Sequence, residues 1–202
     1  MESEQALLAL IQARRSIRRT LDRPVPHRVI ERLLEAARWA PSAHNRQPWR
    51  FAVIESVAWR GRLAAAMGER LRADLAADGL EADAIERQVR RSYERISSAP
   101  LVIVFFLSLA DMDRYPDPAR QEAEHLMAVQ SVALAAQNML LQAHAEGLGA
   151  CWMCAPLFCP DVVRAELNLP ADWIAQGLLT AGYPAEERQK SREPLEPRVR
   201  WY

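Results

Sequence analysis

Apolar positions along this chain alternate between helical spacing and short continuous runs, and the longest helical pattern covers residues 121–147, QEAEHLMAVQSVALAAQNMLLQAHAEG. Leu126, Val129, Ala133, Leu140 and Ala143 mark one stripe, while Met127, Leu134, Met139 and Leu141 widen the apolar surface well beyond it. The spacing predicts a buried central helix that needs cover on several sides. Small residues at 128, 133, 135 and 136 permit close helix approach, so a second copy of the chain can supply part of that cover. Gln130, Gln137, Asn138, Gln142 and His144 interrupt the surface too often for a membrane span, and Gly147 and Gly149 end the helix.

The other elements read outward from that one. Ser3 can cap a first helix carrying Leu7, Leu8 and Ile11, and a second helix over residues 27–39 buries Ile30, Leu33, Leu34 and Ala37. Residues 50–55 form a strand. Residues 56–98 are helical and highly charged, with an interruption at Gly68 and a break at Asp78-Gly79. This region is expected to be a peripheral cover bordering the pocket, its arginines a solvated face. The run PLVIVFFLS over 100–108 predicts a strand covered on both faces. Further strands are expected at 150–153 and 175–183, with a short helix between them over 160–167 and a loop at 111–118. The tail from Pro184 lacks core periodicity and reads as an extended arm of about residues 184–202. The class is therefore α+β, one domain over 1–202, with a small mixed or antiparallel sheet flanked by helices.

Bulk composition then narrows the partners. With 26 basic and 26 acidic residues the chain is formally neutral, which argues against nucleic acid or an anionic membrane as a partner. The N-terminus lacks a basic segment followed by a long apolar run, so no signal peptide is expected and the cytoplasm follows by default. Three cysteines packed into residues 151–159 suit a reducing compartment. Cys151, Cys154 and Cys159 are too few for a closed four-ligand metal site, and buried small hydrophobes are the better reading, so no metal is expected.

Two stretches concentrate chemistry. Arg14-Arg15-Ser16-Ile17-Arg18-Arg19 gathers guanidiniums around one hydroxyl, which suits either a phosphate receptor or a solvated, Arg-rich helix end. Pro41-Ser42-Ala43-His44-Asn45-Arg46-Gln47-Pro48-Trp49 places side-chain donors and acceptors between two prolines. That loop can read the edge of a planar polar ring, or it can be a rigid connector that satisfies its own backbone. Neither a G-x-G-x-x-G fingerprint nor a P-loop is present.

Taken in order, R-R-S-x-R, P-S-x-x-N-x-Q-P-W, G-L-G-x-C-W and K-S-R-x-P-L make the chain resemble the flavin-dependent nitroreductase family along nearly its whole length. The resemblance implies an intertwined homodimer, with the long helix near the interface and one FMN in each cleft between subunits. It assigns Arg14, Arg15, Ser16, Arg18, Lys190 and Arg192 to the FMN phosphate and ribityl chain. Pro41, Ser42, Asn45 and Gln47 of the partner chain would meet the ring, and backbone groups of Trp152, Met153 and Cys154 would lie beside its reactive nitrogen. Cys154 stands where many family members carry an acidic residue. The later motifs are similar to the C-terminal domain of the bifunctional mycobacterial deazaflavin-biosynthesis protein. By the same resemblance NADH or NADPH passes hydride to FMN and a small conjugated or nitroaromatic acceptor receives it in a ping-pong cycle. No side chain is required as acid or base, and His44 and Tyr115 are candidates for the pocket wall. The rivals are a flavin or deazaflavin carrier without turnover, a reductase of a deazaflavin precursor, and a three-cysteine metal protein.

Overall fold

The computed structural model describes residues 2–202, with side chains described from Gln5 onward, so the expected cap at Ser3 lies outside the described side chains. Helix α1 (Glu2–Ala13) leads into an extended segment, then α2 (His27–Arg38). After strand β1 (Trp49–Ile54) come α3 (Val57–Ala77) and α4 (Ala82–Ser97), strand β2 (Leu101–Leu107) and the long helix α5 (Pro118–Ala145). Strand β3 (Gly149–Met153), helix α6 (Pro160–Glu166) and strand β4 (Ile174–Gly182) complete the core before the arm.

The four strands form one antiparallel sheet in the order β1-β2-β4-β3. Every residue of β2 is buried, as its apolar run predicts. Leu101, Ile103, Phe105 and Leu107 face α2 and α5, whereas Val102, Val104 and Phe106 face α3, α6 and the end of α4. Alternation along one central strand thus divides the core into two clusters and makes three layers. The antiparallel arrangement selects one of the two expected sheet types. Arg60 on α3 is buried, and its guanidinium donates to the carbonyls of Glu55, Ser97 and Pro100, tying α3 to the α4–β2 corner.

Helix α5 starts three residues earlier than its apolar pattern, because Pro118 fits the first turn and the Asp117 carboxylate accepts from Arg120 N. It ends where Gly147 takes φ +74°, Gly147 N bonding His144 O and Leu148 N bonding Ala143 O. The helix has the length and hydropathy of a membrane span, yet its buried side chains pack on the sheet and α2. Two expectations are corrected here. Gly68 does not interrupt α3, since the helix passes close to α4 there and a Cβ at Gly68 would meet Val89 at 3.3 Å. The predicted α5 stripe is also rotated: Leu140 and Ala143 are buried, but Leu126, Ala133 and Leu134 are exposed on this chain, and Ala128, Val132 and Ala135 take the inner face.

Candidate functional site

Residues 14–20 do not continue α1. They run extended beside the outer edge of β3, with Ile17 N donating to Ala150 O at 3.0 Å and a parallel bridge between Ser16 and Ala150. The solvated-helix-end alternative is thereby removed. The segment is close-packed, for a Cβ on Gly149 would lie 2.6 Å from Ile17. Its far end is zipped to the start of the arm by Leu21 N to Tyr183 O and Ala185 N to Arg19 O. Glu186 completes the junction: its carboxylate accepts from the backbone N–H groups of Arg18 and Arg19 and pairs with Arg188, contacts that hold its pKa below the usual range.

This zipping brings the two ends of the chain to one place. A cleft of about 730 Å³ is lined by Arg14, Arg15, Ser16, Arg18, Lys190 and Arg192, all six residues assigned to the phosphate end, together with Glu186, Glu187, Arg188 and Gln189. Burial lowers the Arg14 pKa, with Arg192 and Arg15 adding repulsion. Arg15 Nε is buried without a hydrogen-bond partner among the described residues. A crowded set of forked cations with an unused buried donor suits a phosphate dianion.

Backbone direction divides the next three candidates. Because Ala150 O points outward to Ile17, the alternation of the ladder turns the Trp152 N–H and C=O outward as well, while Met153 is hydrogen-bonded into β4 opposite Leu178. Trp152 thus keeps its backbone groups at the edge, Cys154 has left the strand with its carbonyl accepting from Leu157 N, and the Met153 side chain packs toward α3 and α6. The Trp152 ring lies against Gly177 and edge-on to Phe105, 5.1 Å between centroids, with its Nε1 donating to Cys154 Sγ at 3.1 Å. Cys151 and Cys159 are buried and Cys154 is exposed; no group of three potential metal ligands occurs among the described residues.

The loop before β1 is built with care but lies elsewhere. His44, Asn45 and Gln47 all take positive φ, +49°, +54° and +50°. Such backbone costs about 1–2 kcal/mol per residue outside glycine and persists only where contacts impose it. Here Gln47 N donates to Ser42 Oγ, Ala43 N to Ser131 Oγ, and Arg46 pairs with Asp113 at 2.5 Å. Pro41, His44, Asn45 and Gln47 stay exposed. Tyr115 lies under the Arg120 guanidinium in the neighbouring loop. The anchor Ser131 and the end of α5 at Ala145, next to β3 and the cationic cleft, are about 21 Å apart along the helix axis. Within one chain, the loop and the cleft are therefore not brought together.

The second helix expected within residues 56–98 is α4, but the pattern did not show that its arginines share a cavity with the N-terminal segment and the arm. Arg91 and Arg95 line an open cavity with Arg18, Arg19 and Arg188; Arg19, Arg91 and Arg188 are exposed and Arg18 and Arg95 half-buried. Their spacing on one helix face was visible, but no local pattern says what that face meets.

Comparison with known proteins extends this geometry. Residues 11–183 match the model of the nitroreductase family. The chain is 33% identical to the 5,6-dimethylbenzimidazole synthase of Rhodospirillum rubrum, over 89% of this chain and 82% of that protein. It is also 33% identical to the NADH dehydrogenase of Thermus thermophilus, over 93% and 92%. Among solved structures, a putative nitroreductase of Desulfovibrio desulfuricans in complex with FMN aligns with a TM-score of 0.74 at 29% identity, covering 96% of this chain and 94% of that one. The FMN-dependent nitroreductase NfnB of Mycobacterium smegmatis, in complex with NADPH, aligns with a TM-score of 0.75 at 25% identity over 99% of each chain.

Proposed function

Since the chain belongs to the nitroreductase family, we propose that it is an FMN-dependent oxidoreductase that moves hydride from NADH or NADPH to a small conjugated or nitroaromatic acceptor. The observation that carries this reading is the convergence of Arg14, Arg15, Ser16, Arg18, Lys190 and Arg192 on one cleft, in a segment paired to the outer edge of β3 at Ala150. FMN, when bound there, supplies the acceptance and return of hydride. The cations would hold its phosphate, and the outward backbone of Trp152 would present fixed dipoles to the ring at no reorganisation cost. Donor and acceptor would use the same face in turn, which gives ping-pong kinetics.

A second copy would complete the site. The strained loop with Pro41, Ser42, Asn45 and Gln47 stands about 21 Å along α5 from its own cleft, and Leu7, Leu8 and Ile11 of α1 and Leu126 and Leu134 of α5 are exposed apolar side chains without cover in one chain. A homodimer pairing these faces would place each loop over the partner's flavin. Its free cysteines suit the cytoplasm.

The test is the absorbance spectrum of the purified protein, then anaerobic addition of NADH or NADPH. Near one FMN per chain, bleached by either nicotinamide, is expected, with parallel lines in double-reciprocal plots against acceptor. The double variant Arg18→Ala, Arg192→Ala is expected to lose flavin. Undiminished FMN binding in that variant would refute the phosphate assignment, and bound flavin that neither nicotinamide reduces would leave a carrier.

A further inference from the structure

Adjoining the cationic cleft, and sharing Arg18 and Arg188 with it, is a second cavity of about 460 Å³. Its wall is Arg18, Arg19, Arg91, Glu94, Arg95, Ser98 and Arg188, five guanidiniums against one carboxylate. Three separate stretches of chain supply these five guanidiniums: the N-terminal segment, α4 and the arm. Among the described residues, only Arg188 has an ion-pair partner, Glu186. Arg91 and Arg95 stand one turn apart on α4, a spacing at which like charges repel. Arg95 records the crowding, since burial and then Arg91, Arg18 and Arg188 lower its pKa. The buried thiol of Cys151 lies behind the same cations, its pKa raised by burial against the pull of Arg18, Arg95, Arg188 and Arg14.

Arginines spread over a helix face are screened by water one by one. Here, though Arg19, Arg91 and Arg188 are exposed, all five border one space. The neighbouring cleft already offers Arg14, Arg15, Lys190 and Arg192 to the phosphate of FMN, so that dianion does not need the α4 arginines. What relieves their repulsion is another anion, and forked guanidiniums match the oxygens of a phosphate monoester.

Resting on the reading that FMN occupies the adjoining cleft, we propose that the pocket formed by Arg19, Arg91 and Arg95 binds a second phosphate dianion, carried by a substrate of the reaction. The phosphate can arrive as the 2′-phosphate of NADPH or on a phosphorylated acceptor. Both use the same recognition chemistry, and they separate kinetically.

The experiment uses the full-length, FMN-loaded protein and its Arg91→Ala and Arg91→Lys variants. FMN per chain is measured first. Inhibition by inorganic phosphate follows, then kcat/KM for NADPH against NADH, and for a phosphorylated nitrobenzyl alcohol against the free alcohol. Arg91→Ala is expected to keep its flavin and to weaken phosphate inhibition about tenfold or more, the scale of one charge-assisted contact. Arg91→Lys, which keeps the charge and loses the fork, should fall between. A drop in the NADPH preference assigns the phosphate to the donor; a drop in the preference for the phosphorylated alcohol assigns it to the acceptor. The proposal is overturned if none of these quantities moves, or if Arg91→Ala loses FMN, which would make α4 part of the flavin site. Wild-type protein that takes up no FMN at all would overturn the underlying functional reading instead.

Discussion

At Gly177 there is no room for a side chain, because a Cβ there would lie 2.2 Å from the Trp152 ring. The ring, held between that glycine and Phe105, fixes the end of β3 against β4 and β2. Gly177→Ala is expected to destabilise the fold by about 2 kcal/mol through overpacking, read from urea midpoints, and to weaken FMN binding as β3 shifts. Unchanged stability would mean that the ring is free to move. The cysteines divide by environment in the same way. Burial raises the Cys159 thiol to about 11 and also raises Cys151, so both remain protonated, poorly nucleophilic thiols through pH 8. Iodoacetamide at pH 8 is expected to label exposed Cys154 first in the folded flavin-free protein, and all three after unfolding. Equal rates in the folded state would contradict the burial. The expectation that all three cysteines are buried small hydrophobes holds for Cys151 and Cys159 and is corrected at Cys154, which is exposed. That follows from the strand alternation placing Cys151 inward and from the turn after Met153 sending Cys154 to the surface.

Elements meet through a few polar ties whose strength depends on pH. Arg32 on α2 grips the Glu146 carboxylate at the end of α5 with two hydrogen bonds of 2.6 and 2.7 Å, and Gln142 adds a third at 2.8 Å. These contacts, the Arg32 bond foremost, lower the Glu146 pKa to about 2, against roughly 4.3 in an unfolded chain. A depressed carboxylate stabilises the fold fully above the unfolded value and loses that contribution as pH falls through 4 toward 2. Glu146→Gln should therefore be less stable than wild type at pH 7, with the gap narrowing by pH 2.5 in urea titrations. A gap independent of pH would show that the pair does not couple α2 to α5. Neither partner was legible as such, being 114 residues apart in sequence. What was legible is whatever a short pattern dictates. The run at 100–108 could only be a doubly covered strand, and the glycine after residue 146 could only be a helix stop. Arg14–Arg19 was misjudged as a possible helix end because α1 stops at Ala13 for a tertiary reason, the pairing of residues 16 and 17 with β3. Likewise the arginines of α4 have a helical period whether they face water or a cavity.

At the scale of the whole molecule, one chain leaves two things unfinished. Its long helix exposes Leu126 at 54% and Leu134 at 45%, and α1 adds Leu7, Leu8 and Ile11, although a central helix should be covered. Its strained loop, with positive φ at His44, Asn45 and Gln47, stands far along α5 from its own cationic cleft. The proposed homodimer would resolve both, covering the leucines and carrying each loop to the other cleft. Leu134→Glu separates the parts of this argument, since it alters no residue of the cleft or the loop. A carboxylate in the apolar seam is expected to convert a dimer into a monomer of 22.9 kDa by light scattering. FMN affinity should then fall at least tenfold while the phosphate-facing cations remain in place, because the ring would lose its second wall. If the monomer instead holds FMN as tightly as the dimer, the cleft of one chain suffices. The loop's contacts with Ser131 and Asp113 would then mark it as a rigid connector, and the dimer would exist for stability alone.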